Sequence, residues 1–461
     1  MRRAALFLFL PLMAIADDWP TYLHDASRSG ITSEQLALPL KEAWVHRSPH
    51  KPRPAWRGPA KRDPYNKHVG LHNRQTFDHA YHAIAGGGAV FYGSSADDQL
   101  YCLDAKTGRV RWTFFSEGPI RLAPTLHNGR LFFGSDDGHV YCVTTGGKLI
   151  WKTRLGPRDY RIAGNGRIIS AWPVRSGVLI DKGTAYAAGG MFPSEGVHIC
   201  ALGADTGKIQ WRTGQGGLPA QTDLPAQGNL LMSDKNLYVA AGRANPVVYD
   251  RVTGKRLRTL GGIGGTDITL ANDTVVVGPG KTGQLCLIPA GQDKVFTTFA
   301  GTHMIVTPER FLIHGAGEMR AINHPEFLKQ EADRQQTASR IGKLKGHIKD
   351  ASRGKPTPKP MAGLKADLAR ENIHMNDVKE NLKACELWKH PSEFPDALIL
   401  AGDTLLVGGK NVVVAFNVKD GRETWRHAVK GRALGLAVGN GQLLASTDEG
   451  VVHCFKAGGA R

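Results

Sequence analysis

The feature that most constrains the fold of this chain is an internal repeat with a period of about 40 residues. Each copy has a small residue, a tight turn with glycine, and a tryptophan four residues after that glycine. The clearest copies are Cys102–Trp112, Ala201–Trp211 and Ala415–Trp425, and weaker ones surround Gly147, Gly254 and Gly291. Glycine permits the positive φ that such a turn requires. Each copy therefore predicts a strand, a turn and a returning strand whose tryptophan packs against the neighbouring copy.

Two more short alternating strands precede each copy, so the repeating unit is predicted to be a four-stranded antiparallel sheet. Radial repetition of such sheets is typical of a β-propeller. The predicted units, eight in all, are about residues 79–115, 121–154, 169–213, 226–260, 266–299, 303–390, 395–429 and 432–458. The last unit lacks an outer strand, which Leu40–His46 can supply. We expect an all-β, eight-bladed β-propeller of four-stranded antiparallel blades closed by an N-terminal strand; two separate β domains are the alternative.

The pattern A-x-D-x-x-T-G-x-x-x-W resembles the tryptophan-docking motif of the quinoprotein-type, pyrroloquinoline-quinone (PQQ)-like propeller family. The segment from Asp18 to Gly30 is similar to the N-terminal lead-in of secreted bacterial members. The resemblance covers residues 18–458 and implies the propeller fold. It implies no single function, because the family includes PQQ-dependent dehydrogenases and outer-membrane assembly scaffolds.

The N-terminus has the pattern of a signal peptide. Arg2 and Arg3 precede the apolar run Ala4–Ile15, and Ala14 and Ala16 form a cleavage site before Asp17. The run is short for a membrane span, although an N-terminal anchor is the alternative. We predict a signal peptide at 1–16, a lead-in at 17–39 and the propeller at 40–461. The protein is then exported by a bacterium and is periplasmic or extracellular, with no membrane-spanning segment.

Composition narrows the class of protein and partner. Hydrophobic residues make up 41% of the chain, which excludes a disordered protein. Five of the 6 cysteines occupy the same late strand of different repeats, so we expect buried thiols rather than disulfides; Cys385 lies elsewhere. The net charge of +18 favours a protein partner or an anionic ligand. No nucleic-acid-binding motif is present, so we expect no nucleic-acid partner.

Residues 325–385 interrupt the sixth unit between its third and fourth strands. Apolar residues at helical spacing lie on both sides of the proline-rich stretch 354–360, which predicts a helical hairpin insertion. The insertion holds 13 Lys and Arg and 8 Asp and Glu, a net charge of +5. It is either a solvated flap or a docking arm for an acidic partner.

A second insertion, residues 47–78, is rich in histidine. His68 and His72 are four residues apart, but Pro64 and Gly70 disfavour the helix that would align them on a metal, so we predict no metal site. In a propeller this loop shares one face with the loops 155–168, 189–196 and 214–225. Long loops gathered on one face of a rigid scaffold predict the binding face.

The candidate ligand-binding residues on that face are Arg161, Asn165, Arg167, Trp172, Arg175 and Glu195. The arginines suit carboxylates or phosphates, and the oxygens of Asn165 and Glu195 suit Ca²⁺. The alternative is that arginine and acid pair with each other and hold the loops. The acidic pairs Asp97-Asp98 and Asp136-Asp137 are interpreted as turn formers.

Two functions follow from these observations. The one we favour is an exported binding or scaffold module for a protein or an anionic ligand. The alternative is a PQQ- and calcium-dependent dehydrogenase that oxidises an alcohol or sugar; the resemblance implies PQQ over the propeller axis with Ca²⁺, an aspartate base and arginines. The sequence has no adjacent cysteine pair and no C-x-x-C-H haem motif. No residue matches the family's base or calcium ligands, so we assign no catalytic residue and no cofactor.

Overall fold

The computed structural model describes residues 17–56, 75–242, 244–262, 264–265, 267–271, 274–279, 283–315 and 317–458. The predicted signal peptide and the histidines His68 and His72 lie outside the described residues. Within the described part, strands in antiparallel sheets and two long helices form the fold. The all-β architecture of mostly four-stranded sheets matches a β-propeller. No helix of the described residues is long and apolar enough to cross a membrane.

Six sheets have four strands each, in sequence order from inside to outside. The strands of the first three are β3 (Ile84–Gly86), β4 (Ala89–Gly93), β5 (Gln99–Asp104) and β6 (Val110–Phe115); β7 (Thr125–His127), β8 (Arg130–Gly134), β9 (His139–Thr144) and β10 (Leu149–Arg154); and β13 (Leu179–Asp181), β14 (Thr184–Gly189), β15 (His198–Gly203) and β16 (Ile209–Arg212). Between the second and third sheets lies a hairpin that the sequence did not predict, β11 (Arg161–Gly164) with β12 (Arg167–Ser170), and a 3₁₀ turn spans Pro193–Glu195.

The next three sheets repeat this plan. Their strands are β17 (Leu231–Met232), β18 (Asn236–Ala241), β19 (Ala244–Asp250) and β20 (Arg256–Thr259); β21 (Asp267–Ala271), β22 (Thr274–Gly278), β23 (Gln284–Ile288) and β24 (Thr297–Ala300); and β25 (His303–Val306), β26 (Arg310–Gly315), β27 (Glu318–Asn323) and β28 (Glu386–Pro391). The predicted helices are α1 (His324–Ala351) and α2 (Met361–Ala384), between β27 and β28. Asn323 begins α1 because its side chain accepts a hydrogen bond from the Glu326 N–H.

The remaining strands form one seven-stranded sheet. In spatial order it contains β1 (Ile31–Thr32), β29 (Ala397–Ala401), β30 (Thr404–Asn417), β31 (Glu423–Gly439), β32 (Gln442–Thr447), β33 (Val451–Ala457) and β2 (Leu40–Arg47). β31 is long because its first part pairs with β30 and its last part with β32. The sheet thus combines the predicted seventh and eighth units. The N-terminal strand β2 pairs antiparallel with β33, the last strand of the chain.

The repeated tryptophans hold neighbouring units together. The Trp112 indole donates to the Thr145 carbonyl at 3.1 Å, Trp151 to Ala204 at 3.0 Å and Trp388 to Val418 at 3.0 Å. Each ring also covers the turn glycine of the next unit, where an added Cβ would lie 2.6 to 2.9 Å from ring atoms at Gly147, Gly207 and Gly421. The motif therefore joins units in sequence, as the repeat predicts. All six cysteines are buried free thiols.

Candidate functional site

The N-terminal segment 17–36, here called the channel segment, crosses the region where the first strands of the units meet. Its backbone exchanges hydrogen bonds with first strands of five units and with the β31–β32 turn. The contacts are Trp19 with Ala85 (2.8 and 3.0 Å), Pro20 with Leu126 (2.7 Å), Ala26 with Met232 (3.0 Å), Ser27 with Leu270 (2.9 Å), Gly30 with Leu400 (2.8 Å) and Asp17 with Asn440 (3.0 Å). The chain itself therefore occupies part of the propeller axis.

Most of the channel segment lies at one end of the axis. Glu34 and Gln35 accept hydrogen bonds from Gly441 and Asp403, which lie in turns between first and second strands. The backbone N–H of Asn440, in the same kind of turn, contacts Asp17. The channel segment thus forms a floor at the end where those turns lie, and the long loops lie at the opposite end.

Arg28 fastens the channel segment from inside. Its side chain is 1% exposed and donates to the Leu230 carbonyl at 3.0 Å, to Thr21 Oγ1 at 2.8 Å and to the Tyr22 carbonyl at 2.8 Å. Burial lowers the pKa of its guanidinium to about 10, and the nearby Asp25 carboxylate opposes that shift. Because its Nε and Nη1 donate to protein oxygens, Arg28 braces the channel segment.

A cavity lies above this floor, on the side of the long loops. Its polar lining includes His82, Asn229, Thr302, His303 and Ser446, and most of the rest is aliphatic. Arg28 is the one charged side chain among the described lining residues, which contain no Asp, Glu or Lys. The cavity is therefore suited to an uncharged, largely apolar occupant.

The cavity histidines are held in their neutral form. Burial lowers the pKa of His82 to about 4, and the neighbouring His79 adds to the effect. Burial also lowers the pKa of His303 to about 4, against a weaker opposing influence of Asp396. His314, opposite His303 in the β25–β26 pairing, has a pKa lowered to about 4 for the same reason. Neutral imidazoles add hydrogen-bonding groups to the cavity but no charge at neutral pH.

This lining does not fit PQQ with calcium. Ca²⁺ needs several oxygen ligands that include carboxylates, and a tricarboxylate cofactor needs available cations. The described lining residues offer no carboxylate, and their one cation is Arg28, whose Nε and Nη1 already donate to protein oxygens. The described residues that line this cavity therefore lack carboxylate ligands for calcium and offer a tricarboxylate cofactor a single arginine.

Beneath the loop face lies a buried ionic network that includes two of the predicted ligand residues. Arg175 donates to both oxygens of Asp136 at 2.8 Å and to Asn165 Oδ1 at 2.8 Å. Arg121 bridges the same Asp136, at 2.6 Å, and Asp78, at 2.7 Å. Burial alone would raise the pKa of Asp136, but Arg175 and Arg121 outweigh it and hold that pKa below its usual value. The network joins the loops before the first, second and third sheets to a turn of the second sheet.

The other predicted ligand residues lie on the same face but make protein contacts too. Arg161 pairs with Glu117 at 3.0 Å, and Arg167 pairs with Asp98. The Trp172 indole donates to the Glu195 carbonyl oxygen at 2.9 Å. The structure therefore brings the six residues to one face. Arg175 is fully buried, whereas Arg161 and Arg167 keep part of their side chains exposed.

Sequence reasoning missed Asp78, Arg121 and the path of the channel segment. Asp136 was interpreted as a turn former, but its carboxylate accepts hydrogen bonds from two buried arginines. Asp97 and Asp137 accept hydrogen bonds from Tyr101 and Tyr141 in their own sheets. A signal was present in the sequence, since the pattern Pro-x-Arg ends at Arg121 and again at Arg175, but the carboxylate that both arginines bind is identified only by the fold.

Comparison with known proteins places the chain in a family. The family model described as outer membrane protein assembly factor BamB matches residues 53–165, 115–278 and 385–460, more than half of the chain. The dehydrogenase subunit of alcohol dehydrogenase (quinone) from Gluconobacter oxydans (strain 621H) is 28% identical over 143 residues, 27% of this chain and 17% of that protein. The same subunit from Gluconacetobacter polyoxogenes is 27% identical over 143 residues, 27% of this chain and 18% of that one. The chain thus spans less than a fifth of the curated relatives it matches.

Solved structures agree on the fold. Quinohemoprotein alcohol dehydrogenase ADHIIG from Pseudomonas putida HK5 superposes with a TM-score of 0.56 at 12% identity, covering 96% of this chain and 81% of that one. A europium-containing methanol dehydrogenase superposes with a TM-score of 0.56 at 11% identity, covering 93% and 89%. At such identities the likeness concerns fold alone. From its repeats, its sheets and the family match, the chain belongs to the PQQ-like β-propeller family whose model is described as outer membrane protein assembly factor BamB.

Proposed function

We propose that the protein is an exported binding or scaffold module for a protein partner or an anionic ligand. The observation that carries this proposal is the channel segment, which occupies the axis and leaves a cavity without carboxylates. The family description, an assembly factor for outer membrane proteins, supports the same function. The partner is then expected on the loop face and on the helical hairpin rather than at the axis.

A ring of eight blades, closed by β2, is part of the proposal. The pairing of β2 with β33 supports it, since it unites the two ends of the described chain. Tryptophan docking across the same region supports it as well. Trp425 donates to the Leu40 carbonyl at 2.9 Å, and Trp44 donates to the Ala105 carbonyl at 3.0 Å, which links the last, N-terminal and first sheets. We also retain the division into a lead-in at 17–39 and a propeller at 40–461, after a signal peptide at 1–16.

The loop face presents a surface of the kind that proteins bind. Phe115, Tyr160, Ile168 and Phe192 are exposed by 68%, 44%, 64% and 39%, although they are large apolar residues. Arg161 and Arg167 lie in the same hairpin as Ile168. Aromatic and aliphatic anchors with neighbouring arginines are typical of protein interfaces. Arg161, Asn165, Arg167, Trp172, Arg175 and Glu195 then shape and support the binding face, Arg175 and Asn165 from below.

The helical hairpin supplies a second, electrostatic contact. Residues 338–370, its far half, contain nine Lys and Arg against Asp350 and Asp367. Its base, by contrast, contains more acidic than basic residues and packs on the sixth sheet. A cationic end held away from the propeller body suits an acidic partner surface.

The test uses one substitution on each face. Ile168→Asp puts a charge on the proposed binding face, and Val252→Asp, at a residue 75% exposed in a turn of the opposite face, is the matched control. Both variants should keep the wild-type melting temperature. In affinity purification after chemical cross-linking from the exporting cells, we expect a partner that is recovered with wild type and V252D and lost with I168D. Equal recovery with both variants contradicts the loop-face assignment.

A PQQ-dependent dehydrogenase that oxidises an alcohol or sugar is the second candidate, and the alignment with quinone alcohol dehydrogenase subunits favours it. Titration of the mature protein with PQQ and Ca²⁺, followed by calorimetry and dye-linked oxidation of alcohols and sugars, separates the two functions. The scaffold proposal expects no saturable binding at micromolar cofactor and no turnover. Saturable binding with turnover would overturn it.

A further inference from the structure

Glu34 is a buried acid beside the predicted start of the mature chain. Its side chain is 3% exposed, and the carboxylate accepts hydrogen bonds from two backbone groups. Oε2 lies 3.1 Å from the Asp17 nitrogen, and Oε1 binds the Gly441 N–H. Among the ion pairs of the described residues, none joins Glu34 to a Lys, Arg or His side chain. Burying a carboxylate without a cation is costly, so this environment lacks one positive charge.

Asp17 is held in place by contacts besides the one with Glu34. Its carbonyl accepts from the Asn440 N–H at 3.0 Å, and its Oδ2 lies 3.4 Å from His24 Nε2. The next residue, Asp18, accepts from Asn440 Nδ2 at 3.1 Å. The nitrogen of Asp17 is therefore fixed beside Glu34, at the floor of the propeller and at the residue that follows the A-x-A cleavage pattern.

We propose that cleavage before Asp17 completes this site, because the released α-ammonium of Asp17 becomes the ion-pair partner of Glu34. Hydrolysis of the Ala16–Asp17 peptide bond consumes one water, leaves a carboxylate on Ala16 and an amine on Asp17, and that amine binds a proton at neutral pH. An uncleaved chain presents only a neutral amide N–H at the same position. Processing thus locks the channel segment into the axis of the exported protein.

The charges around Asp17 favour a cation there. Glu34 lies 3.1 Å from the nitrogen, and Asp17 and the adjacent Asp18 each add a carboxylate of their own; the basic group there is His24, 3.4 Å from Asp17 Oδ2. An amine stabilised by an ion pair in the folded state contributes stability that is present below its ordinary pKa of about 7.7–8.0 and lost as pH rises through its higher folded value. The lock is therefore expected to weaken in alkaline solution. It does not depend on which partner the propeller binds.

The experiment compares two starts of the chain in two backgrounds. One protein begins at Asp17 with a free amine, and the other has a Gly-Ser-Gly extension that moves the amine away and leaves an amide. Each is made with Glu34 and with Glu34→Gln, and Glu386→Gln, at an exposed residue of β28, is the matched control. Thermal unfolding is followed at pH 7 and pH 10, and the start of the exported protein is mapped by mass spectrometry.

The mapped start is expected at Asp17. At pH 7 the free-amine chain should melt at a higher temperature than the extended one, and this difference should disappear in E34Q and shrink at pH 10, while E386Q leaves it unchanged. If E34Q does not fold, the proposal is tested by the two chains that keep Glu34, because the difference between their melting temperatures should still shrink from pH 7 to pH 10. A start at another residue, or identical melting of the two chains at pH 7, overturns the proposal.

Discussion

Neighbouring sheets of this propeller are joined in two different ways. At the three successive junctions from the first sheet to the fourth, a tryptophan of one sheet covers the turn glycine of the next. The pairs are Trp112 with Gly147, Trp151 with Gly207 and Trp211 with Gly254. Between the fourth and sixth sheets the motif is absent. Arg258 stands in the tryptophan position there and forms an ion pair with Asp293 at 3.0 Å.

The junction between the fifth and sixth sheets uses the hairpin insertion instead. Phe327 of α1 packs against Phe299 and Phe311, with ring centroids 5.1 and 6.0 Å apart, and Gln335 donates to the Phe296 carbonyl. The base of the hairpin therefore covers the junction that lacks a docking tryptophan. A repeat can therefore lose its motif where an insertion supplies the missing contact area.

The largest expected effect comes from removing a docked indole. Trp151→Ala deletes a ring that is 9% exposed together with its hydrogen bond to Ala204, and should lower the free energy of unfolding by about 3–5 kcal/mol. Trp151→Phe keeps a ring over Gly207 and loses the N–H donor, so its loss should be smaller. Urea denaturation measures both, and equal losses for the two variants would show that the ring itself contributes little.

A pair of glycine substitutions separates contact with the indole from backbone strain. Gly207 and Gly129 have similar φ values, +67° and +71°, but a Cβ at Gly207 would lie 2.6 Å from the Trp151 ring, whereas at Gly129 it meets nothing within 4 Å. Both alanine variants bear a positive-φ penalty of about 1–2 kcal/mol. G207A should lose a further 1–3 kcal/mol, roughly, because the ring must move. Equal stability of G207A and G129A in urea would contradict the docking description.

The junction covered by the hairpin should be weaker than a docked one. Phe327→Ala removes a partly buried ring and should cost about 2 kcal/mol, less than W151A, with the fifth and sixth sheets most affected. Hydrogen exchange followed by mass spectrometry would locate the loss. Phe192→Ala, at an exposed ring of the loop face, is the control and should leave stability and exchange unchanged.

The smallest effect is expected at the ion pair. Arg258→Ala should change the free energy of unfolding by about 0–1 kcal/mol, because Asp293 is 55% exposed and water screens the pair. Arg258→Trp restores the motif over Gly291, where an added Cβ meets nothing within 4 Å, and should raise stability above wild type. Thermal denaturation with and without 1 M salt distinguishes the two variants. A large loss of stability in R258A would show that this junction depends on its side-chain contact as much as the tryptophan-docked junctions do.

Much of the fold was predictable because it is local. The turn glycine and the tryptophan lie four residues apart, so each copy of the motif by itself predicts a turn, an outer strand and a docking ring. The hairpin insertion was visible as a change from strand to helical spacing. The extra hairpin at Arg161–Ser170 was missed although its Asn165-Gly166 pair is a hairpin turn signal, because its strands have four residues each and lie within a long loop between units.

The candidate site was predictable only in part. Topology predicted that Arg175 and Asn165 share one face with the other candidate residues. It did not predict that Arg175 and Arg121 both bind Asp136. A guanidinium and a carboxylate attract each other whatever their distance along the chain, so the spacing of residues in the sequence does not predict such pairs. Whether an arginine is buried as a brace or exposed for a ligand is likewise a property of packing.

The sequence by itself determined the repeat, the four-stranded units and the insertion, because these depend on turn chemistry and on the period of hydrophobic residues. Only the tertiary structure decided what fills the axis. The hydrogen bonds of the channel segment join residues 17–32 to strands as distant as β29, and Glu34 acquires its neighbour Gly441 only when the first and last parts of the chain meet. Such contacts are long-range and follow from the arrangement of the sheets, so no local pattern encodes them.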